Sequence, residues 1–109
     1  MAEEFTPIPN YPKYEVSNLG NVRHKLKNKI LKGSPDKGGY LRVSLCDDTT
    51  VKVTKIHRIV ADVFLENPDK KNQVDHINND KNDNSVNNLR WCTSQENNRN
   101  KSKTIKNKL

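Results

Sequence analysis

The sequence of 109 residues is poor in apolar side chains, which make up 31% of it. Such a small apolar fraction implies a thin hydrophobic core, because few buried side chains are available to offset the conformational entropy lost on folding. Local hydrogen bonds and a bound ligand are therefore expected to contribute to stability. The length suits one domain, or two very small modules that share a core.

Long apolar runs and paired cysteines are also missing. No apolar run approaches the length of a membrane span or a signal-peptide core, which predicts a soluble protein that is not exported and has no membrane partner. Cys46 and Cys92 are isolated, so there is neither a CxxC pair for structural zinc nor a disulfide framework. Both are interpreted as small packing residues in a reducing cytoplasm.

Positive charge is in excess, with a formal net charge of +7. Basic residues dominate residues 21–60 and the last eleven residues, whereas residues 61–98 are net acidic. Two basic regions on either side of an acidic centre suit a polyanionic partner that binds to the basic regions. Charge alone leaves open the alternative of a solubilising surface without a partner.

The first half of the chain has the alternation and turn signals of a small antiparallel β-sheet. Strands are predicted at residues 14–17, 22–24, 29–31, 40–45 and 51–56. In the last of these, Val51 and Val53 share a face, while Lys52 and Lys55 are free to face solvent or phosphate. The predicted sheet therefore has a cationic face.

The second half changes to helical and then mixed patterns. Apolar residues at helical spacing predict an amphipathic helix over residues 56–65, which Pro68 follows. Short strands are predicted at 74–77 and 89–92, joined by a polar loop. A capping-box pattern at 93–96 predicts a helix from Ser94 to about Asn100. The fold class is α+β, divided into a β-rich DNA-binding segment (1–55), a ββα-metal module (56–100) and a basic tail (101–109).

The second module has the side chains that phosphodiester hydrolysis needs. His76 can act as the base, because histidine has the unperturbed pKa closest to neutral. A hard divalent cation prefers oxygen ligands, which Asp75 and the amide of Asn97 can supply. Asn88 can orient the imidazole of His76, directly or by fixing the loop. Neighbours on a regular strand face opposite sides, so Asp75 and His76 share a site only where the strand twists or ends.

Three stretches of the sequence together resemble one known family. They read Val74-Asp75-His76-Ile77-Asn78-Asn79-Asp80 with Asp83-Asn84, Asn88-Leu89-Arg90-Trp91, Thr93 and Glu96-Asn97, then His57-Arg58-Ile59-Val60-Ala61, and Tyr14-Glu15-Val16-Ser17-Asn18-Leu19-Gly20-Asn21-Val22-Arg23. The first resembles the HNH motif of phage homing endonucleases, in the variant whose third motif residue is Asn. The second is similar to the segment that precedes this motif. The third is similar to a modular N-terminal DNA-binding segment often fused to these nucleases, and the matches together cover about residues 5–100.

The resemblance implies a metal-dependent endonuclease that hydrolyses double-stranded DNA with one divalent ion, Mg²⁺ or Mn²⁺. It implies that Asp75 and Asn97 bind the ion, that His76 is the general base and that Asn88 positions it. His57 is expected to pack and to hydrogen-bond beneath the site, with contact to phosphate or metal as the alternative. Phosphate contacts are expected from the basic residues Arg23, Lys25, Lys27, Lys29, Arg42, Lys52, Lys55 and Arg99.

Two other functions remain open on the sequence alone. One is a DNA-binding protein whose HNH module is inactive, and the other is a basic RNA-binding or ribosome-associated protein. We expect a monomer in solution, with a dimer on DNA as an option, in the cytoplasm of a phage's bacterial host. Nicking and double-strand cleavage are not distinguished, and neither are the target sequence and the biological role.

Overall fold

The computed structural model describes residues 2–97 and has the predicted α+β fold. The N-terminal half is built from strands, a single α-helix follows, and a short hairpin then leads into helical residues at 94–97. The elements are β1 (Phe5–Ile8), β2 (Tyr11–Ser17), β3 (Val22–His24), β4 (Lys29–Ile30), β5 (Ser34–Pro35), β6 (Leu41–Cys46), β7 (Val51–Lys55), α1 (Ile56–Phe64), β8 (Gln73–His76), a 3-10 helix (Val86–Asn88) and β9 (Leu89–Cys92).

The N-terminal half contains two antiparallel sheets, where the sequence predicts one. Strands β1 to β4 form a four-stranded sheet in chain order, and β5 to β7 form a three-stranded sheet. Strand β1 was not predicted, because Pro7 lies within it and Pro9 follows it. Since β1 is an edge strand, it tolerates a residue without a backbone N–H.

The pairing of β6 with β7 decides which side chains face the solvent. Val51 lies opposite Cys46 and Lys52 lies opposite Leu45. Leu45 is fully buried, so its face of the ribbon is the inner one, and Val51 and Val53 lie on the outer face. The two valines share a face as predicted, but it is the exposed face, together with Lys55. Lys52 is on the opposite face, at an exposed end of the ribbon.

One hydrophobic cluster joins the two sheets, the hairpin and α1. Ile56, Ile59 and Val60 of the predicted apolar stripe are buried, Val63 and Phe64 are partly buried against the cluster, and the helix also buries Ala61. The cluster is continuous across the predicted boundary between the modules, at residues 55 and 56. Strands from both sides of this boundary pack on α1. The other buried members of the cluster are Ile8, Tyr14, Val16, Val22, Val43, Leu45, Val74 and Leu89.

Two further expectations can be compared with the structure. Cys92 is buried, in agreement with a packing role, whereas Cys46 is exposed at the end of β6. Within residues 2–97, no helix is long and apolar enough to cross a membrane.

Candidate active site

The β8–β9 hairpin presents Asp75 and His76 on opposite faces. Asp75 pairs with Arg90 and His76 pairs with Leu89, and the strand alternates regularly up to His76, its last residue. Leu89 belongs to the hydrophobic core, so the face with His76 lies toward α1. The face with Asp75 also contains Gln73. Asp75 and His76 are each only 3% exposed, because both faces of the hairpin are covered.

The imidazole of His76 has a polar partner on the loop between the strands. Its Nε2 lies 2.7 Å from Oδ1 of Asn84, which is itself buried. A carbonyl oxygen can only accept a hydrogen bond, so this contact assigns a proton to Nε2. In the neutral imidazole the remaining nitrogen, Nδ1, is then the basic atom. The structure therefore shows which tautomer of His76 the loop favours.

Aromatic rings pack against His76 on the side of α1. The ring of His57 lies 4.9 Å from that of His76, centroid to centroid, and the ring of Tyr40 lies at 5.8 Å. Tyr40 and His57 are themselves stacked at 5.0 Å. The three rings form a compact cluster, and it limits the orientations that the imidazole of His76 can adopt.

His57 lies beneath the site, in the place that the packing interpretation predicts. It is buried, and its Nδ1 has no hydrogen-bond partner within the described part of the chain. Burial, with a smaller contribution from the neighbouring His76, lowers the pKa of His57 to about 3. His57 is therefore neutral at physiological pH and presents no second positive charge to His76.

The carboxylate of Asp75 is held by an arginine. Nε of Arg90 donates to Oδ2 of Asp75 over 3.1 Å, and this pair forms across the two strands. Arg90 is about half exposed, whereas Asp75 is almost fully buried. The contact fixes the plane of the carboxylate and compensates its charge in a buried position.

Asn97 lies on the same face of the hairpin as Asp75. Its Nδ2 donates to Oε1 of Gln73 over 3.1 Å, and Gln73 is two residues from Asp75 along β8. Because the amide nitrogen is used in this way, the carbonyl oxygen of Asn97 is the end turned away from Gln73. The structure thus brings Asp75 and Asn97 to one face and places His76 on the other.

The predicted capping box starts the helical residues that contain Asn97. The backbone N–H of Thr93 donates to Oε1 of Glu96 over 2.9 Å, and Oγ1 of Thr93 accepts from the backbone N–H of Glu96 over 3.2 Å. Glu96 also pairs with Lys71 at 3.0 Å. These hydrogen bonds, those to Thr93 first, lower the pKa of Glu96 to about 2. The prediction of a cap at this position is confirmed.

Asn88 holds the loop between the strands. Its Nδ2 donates to Oδ1 of Asn78 and to the backbone oxygen of Asp83, each over 2.9 Å, and its Oδ1 accepts from the backbone N–H of Asn78 over 3.1 Å. These contacts correspond to the second of the two roles considered for Asn88, that of fixing the loop. The direct contact to His76 comes from Asn84. Sequence reasoning did not assign Asn84 a role, because six asparagines lie between residues 78 and 88 and only the fold distinguishes among them.

The donor set on the Asp75 face fits a hard divalent cation. One carboxylate and one amide oxygen are what Mg²⁺ or Mn²⁺ takes from a protein when water and substrate phosphate complete the shell. Within residues 2–97 there is no group of three or more His, Cys, Asp or Glu residues that could hold a metal. A closed, all-protein site of the structural zinc type is therefore not formed by this part of the chain.

The basic residues predicted to contact phosphate have different environments. Nε of Arg23 donates to Glu15 over 2.6 Å, and its guanidinium carbon lies 3.6 Å above the ring of Phe5. Lys55 lies 3.6 Å from a carboxylate oxygen of Asp36. Arg99 is outside the described residues. The remaining members of the set are exposed: Lys25, Lys27, Lys29, Arg42 and Lys52.

Comparison with known proteins gives two matching family models. Residues 3–46 match the model described as NUMOD4 motif, and residues 54–99 match the model described as HNH endonuclease. Two proteins of Acanthamoeba polyphaga mimivirus, each named an uncharacterized HNH endonuclease, are 41% and 47% identical over 84% of this chain, and the matches cover 28% and 23% of their lengths.

Two phage proteins and one solved structure are also similar. The DNA endonuclease I-HmuI of Bacillus phage SP01 is 38% identical over 77% of this chain and 48% of its own length. The H-N-H endonuclease F-TflII of Escherichia phage T5 is 32% identical over 86% of this chain and 50% of its own length. The structure described as DNA binding and cleavage by the HNH homing endonuclease I-HmuI superimposes with a TM-score of 0.84 at 35% identity, covering 93% of this chain and 59% of that one. This chain thus spans about half the length of the phage relatives.

Proposed function

We propose that this chain, which belongs to the phage-type HNH homing endonuclease family, is a metal-dependent endonuclease that binds double-stranded DNA and hydrolyses its phosphodiester bonds. One observation supports the proposal most directly. A buried histidine whose Nε2 faces the oxygen of Asn84 ends the strand that carries Asp75, and Asn97 lies on the Asp75 face of that hairpin. Strand β8 thus carries a base and a carboxylate on adjacent residues, and Asn97 adds an amide oxygen on the Asp75 face. Phosphodiester hydrolysis needs groups of these types.

His76 acts as the general base in this proposal. With the proton on Nε2 held by Asn84, Nδ1 removes a proton from the water that attacks phosphorus. The Nε2–H···O contact persists when the ring becomes cationic, because Nε2 carries a proton in both states. The bond between phosphorus and the 3′ oxygen breaks, and the leaving oxygen takes a proton from solvent. His76 then returns its own proton to solvent, and the products have 5′-phosphate and 3′-hydroxyl ends.

Asp75 and Asn97 would hold one divalent ion, Mg²⁺ or Mn²⁺. When bound, that ion stabilises the charge that develops on the phosphoryl group and on the leaving 3′ oxygen. Arg90 fixes the carboxylate of Asp75, and Gln73 fixes the amide of Asn97, so that both oxygens are oriented before substrate arrives. Asn88 keeps the loop in place, and His57 supports the ring of His76 from below.

The remaining expectations belong to the same proposal. Exposed basic residues of both sheets contact phosphates, which accounts for the net charge of +7. We place the protein in the cytoplasm of an infected bacterium, because two of its relatives are phage proteins. One active site in a monomer gives one nick for each binding event, and a double-strand cut requires either a dimer on DNA or two successive visits.

A plasmid assay tests the proposal. Supercoiled DNA is incubated with the protein and Mg²⁺ or Mn²⁺, with EDTA in a parallel reaction. Loss of a general base lowers rates by about 10²- to 10⁴-fold, so His76→Ala should slow nicking to that extent. Asp75→Asn should raise the metal concentration needed, whereas Asp62→Asn, at an exposed position of α1, is the matched control.

Two other results would contradict the proposal, one from this assay and one from an RNA-binding measurement made beside it. Tight plasmid binding without metal-dependent nicking would identify an HNH module that binds DNA and is inactive. Tight RNA binding that Asp75→Asn leaves unchanged, without DNA nicking, would identify an RNA-binding protein.

A further inference from the structure

The hairpin between β3 and β4 ends in an exposed leucine. Leu26 is 89% exposed, more than any other large apolar side chain in the described residues. The turn that presents it is well defined. The backbone N–H of Leu26 donates to Nδ1 of His24 over 3.2 Å, and the backbone N–H of Asn28 donates to the backbone oxygen of His24 over 3.0 Å. Asn28 adopts the left-handed conformation that closes the turn, with φ of 47°.

The surroundings of Leu26 are cationic. Lys25 and Lys27 flank it in sequence, Lys29 follows on β4, and all three are exposed. A groove beside the hairpin is lined by lysines and by Ile30, and none of its lining residues within 2–97 is acidic. Through Lys32 this groove continues to the outer face of the β6–β7 ribbon, where again none of the described lining residues is acidic.

This combination identifies the kind of partner that fits. Burying several lysines in an apolar protein interface carries a large desolvation cost, so a leucine within a lysine cluster suits a polyanion better than an apolar protein surface. Duplex DNA offers a partner for the lysines and a partner for the leucine. Phosphates line each groove of the duplex, and the stacked bases lie within reach of an apolar side chain. Apolar side chains that enter between base pairs from the minor groove unstack the step and kink the duplex.

We propose that Leu26 is a wedge that enters the DNA duplex between adjacent base pairs, while Lys25, Lys27 and Lys29 hold the phosphates on either side. The proposal rests on the proposed function, since it requires that this chain binds DNA. It adds a mode of binding, in which the chain distorts the duplex as well as attaching to the phosphate backbone.

Unwinding of a plasmid measures this distortion without knowledge of the target sequence. Relaxed plasmid is treated with a metal-independent topoisomerase in EDTA, with and without saturating protein, and the topoisomers are resolved after the protein is removed. The wild-type chain should shift the distribution toward negative supercoiling. Leu26→Ala should abolish the shift and change the dissociation constant by less than about tenfold, because phosphate contacts dominate affinity. Leu26→Phe, which keeps an apolar wedge, should retain the shift.

Lys27→Ala is the matched control at the same turn. It should weaken DNA binding and lower the salt dependence of the binding constant by the amount expected for about one phosphate contact. The unwinding of the plasmid per bound protein should stay the same as in the wild type. Thermal unfolding should be unchanged in Leu26→Ala, since the side chain touches little of the protein.

Three outcomes would overturn the wedge. In the first, the wild-type protein binds and nicks plasmid without unwinding it. In the second, the Leu26→Ala variant unwinds plasmid as well as the wild type does. In the third, light scattering shows that the wild type is a dimer and that Leu26→Ala dissociates it. The first of these leaves the endonuclease intact. Absence of both binding and nicking would instead contradict the proposed function itself.

Discussion

Gly20 connects the N-terminal sheet to His76, the proposed general base, and its substitution tests the role proposed for Asn84. The residue lies in the turn between β2 and β3 with φ of +88°, and a Cβ placed there would come 2.7 Å from the backbone oxygen of Asn84. The same turn accepts a hydrogen bond from the backbone N–H of Val86 at Asn18, over 2.8 Å. Gly20→Ala should therefore displace the segment that supplies the partner of His76.

Gly39 offers a control matched in backbone strain. It has the same φ of +88°, but a Cβ there would meet only the flexible end of Lys81, at 3.5 Å. An alanine in the left-handed region costs about 1–2 kcal/mol at either position. Overpacking against a fixed backbone adds roughly 1–3 kcal/mol for Gly20→Ala alone. The difference in unfolding free energy between the two variants isolates the contact with Asn84.

The effect on catalysis should exceed the effect on binding. A displacement of Asn84 by about 1 Å breaks a hydrogen bond that is 2.7 Å long, and misplacement of this size can cost about 100-fold in rate. We expect Gly20→Ala to lower the maximal nicking rate with little change in DNA affinity, and Gly39→Ala to keep both within about threefold. Urea unfolding and single-turnover nicking at saturating protein measure these quantities. Equal nicking rates in the two variants, both folded, would refute the role given to Asn84.

Two further predictions concern the support of the site. Burial lowers the pKa of His57 to about 3 from 6.5, so the unfolded chain binds a proton that the folded chain does not. This contribution to stability is complete above pH 6.5 and falls by up to about 1.4 kcal/mol per pH unit below it. Urea unfolding between pH 5 and 7 should show this slope, and His57→Phe should flatten it; an unchanged slope contradicts the assignment. Thr93→Ala should lower the free energy of unfolding by about 1 kcal/mol and, by displacing Asn97, raise the Mg²⁺ concentration needed for half-maximal nicking. Thr93→Ser should keep the wild-type stability and the wild-type Mg²⁺ requirement. Equal Mg²⁺ dependence of nicking in all three proteins would exclude a link between the cap and the metal site.

The parts of the fold that depend on local pattern were predictable. The periodicity of α1, the hairpin strands and the capping box at Thr93 are each set by neighbours in sequence, and each was found within a residue or two. The edge strand β1 was missed, because Pro7 weakens its local signal and only pairing with β2 makes it a strand. The division of the N-terminal half into two sheets was also missed, because it depends on packing between residues far apart in the sequence.

For the candidate site, sequence supplied the residue types and the fold supplied their grouping. His76 and Asp75 stand out by their motif, but the strand alternation puts them on opposite faces of the hairpin, so any shared substrate must be reached from the end of β8. Asn84 could not be selected among its neighbours, since its position depends on contacts with Gly20 and with His76 that no local pattern encodes.

The thin core explains why amides dominate this site. A loop of residues 78–88 with hardly any apolar side chains cannot be fixed by burial, so its shape depends on the hydrogen bonds of Asn88 and on the docking of the β2–β3 turn. Buried amide networks of this kind are costly to break, because each lost partner leaves a desolvated polar group. The two segments that match separate family models therefore meet beside His76, the proposed general base, as well as in the core. We therefore expect changes in the N-terminal sheet to alter the rate of the proposed cleavage without touching DNA.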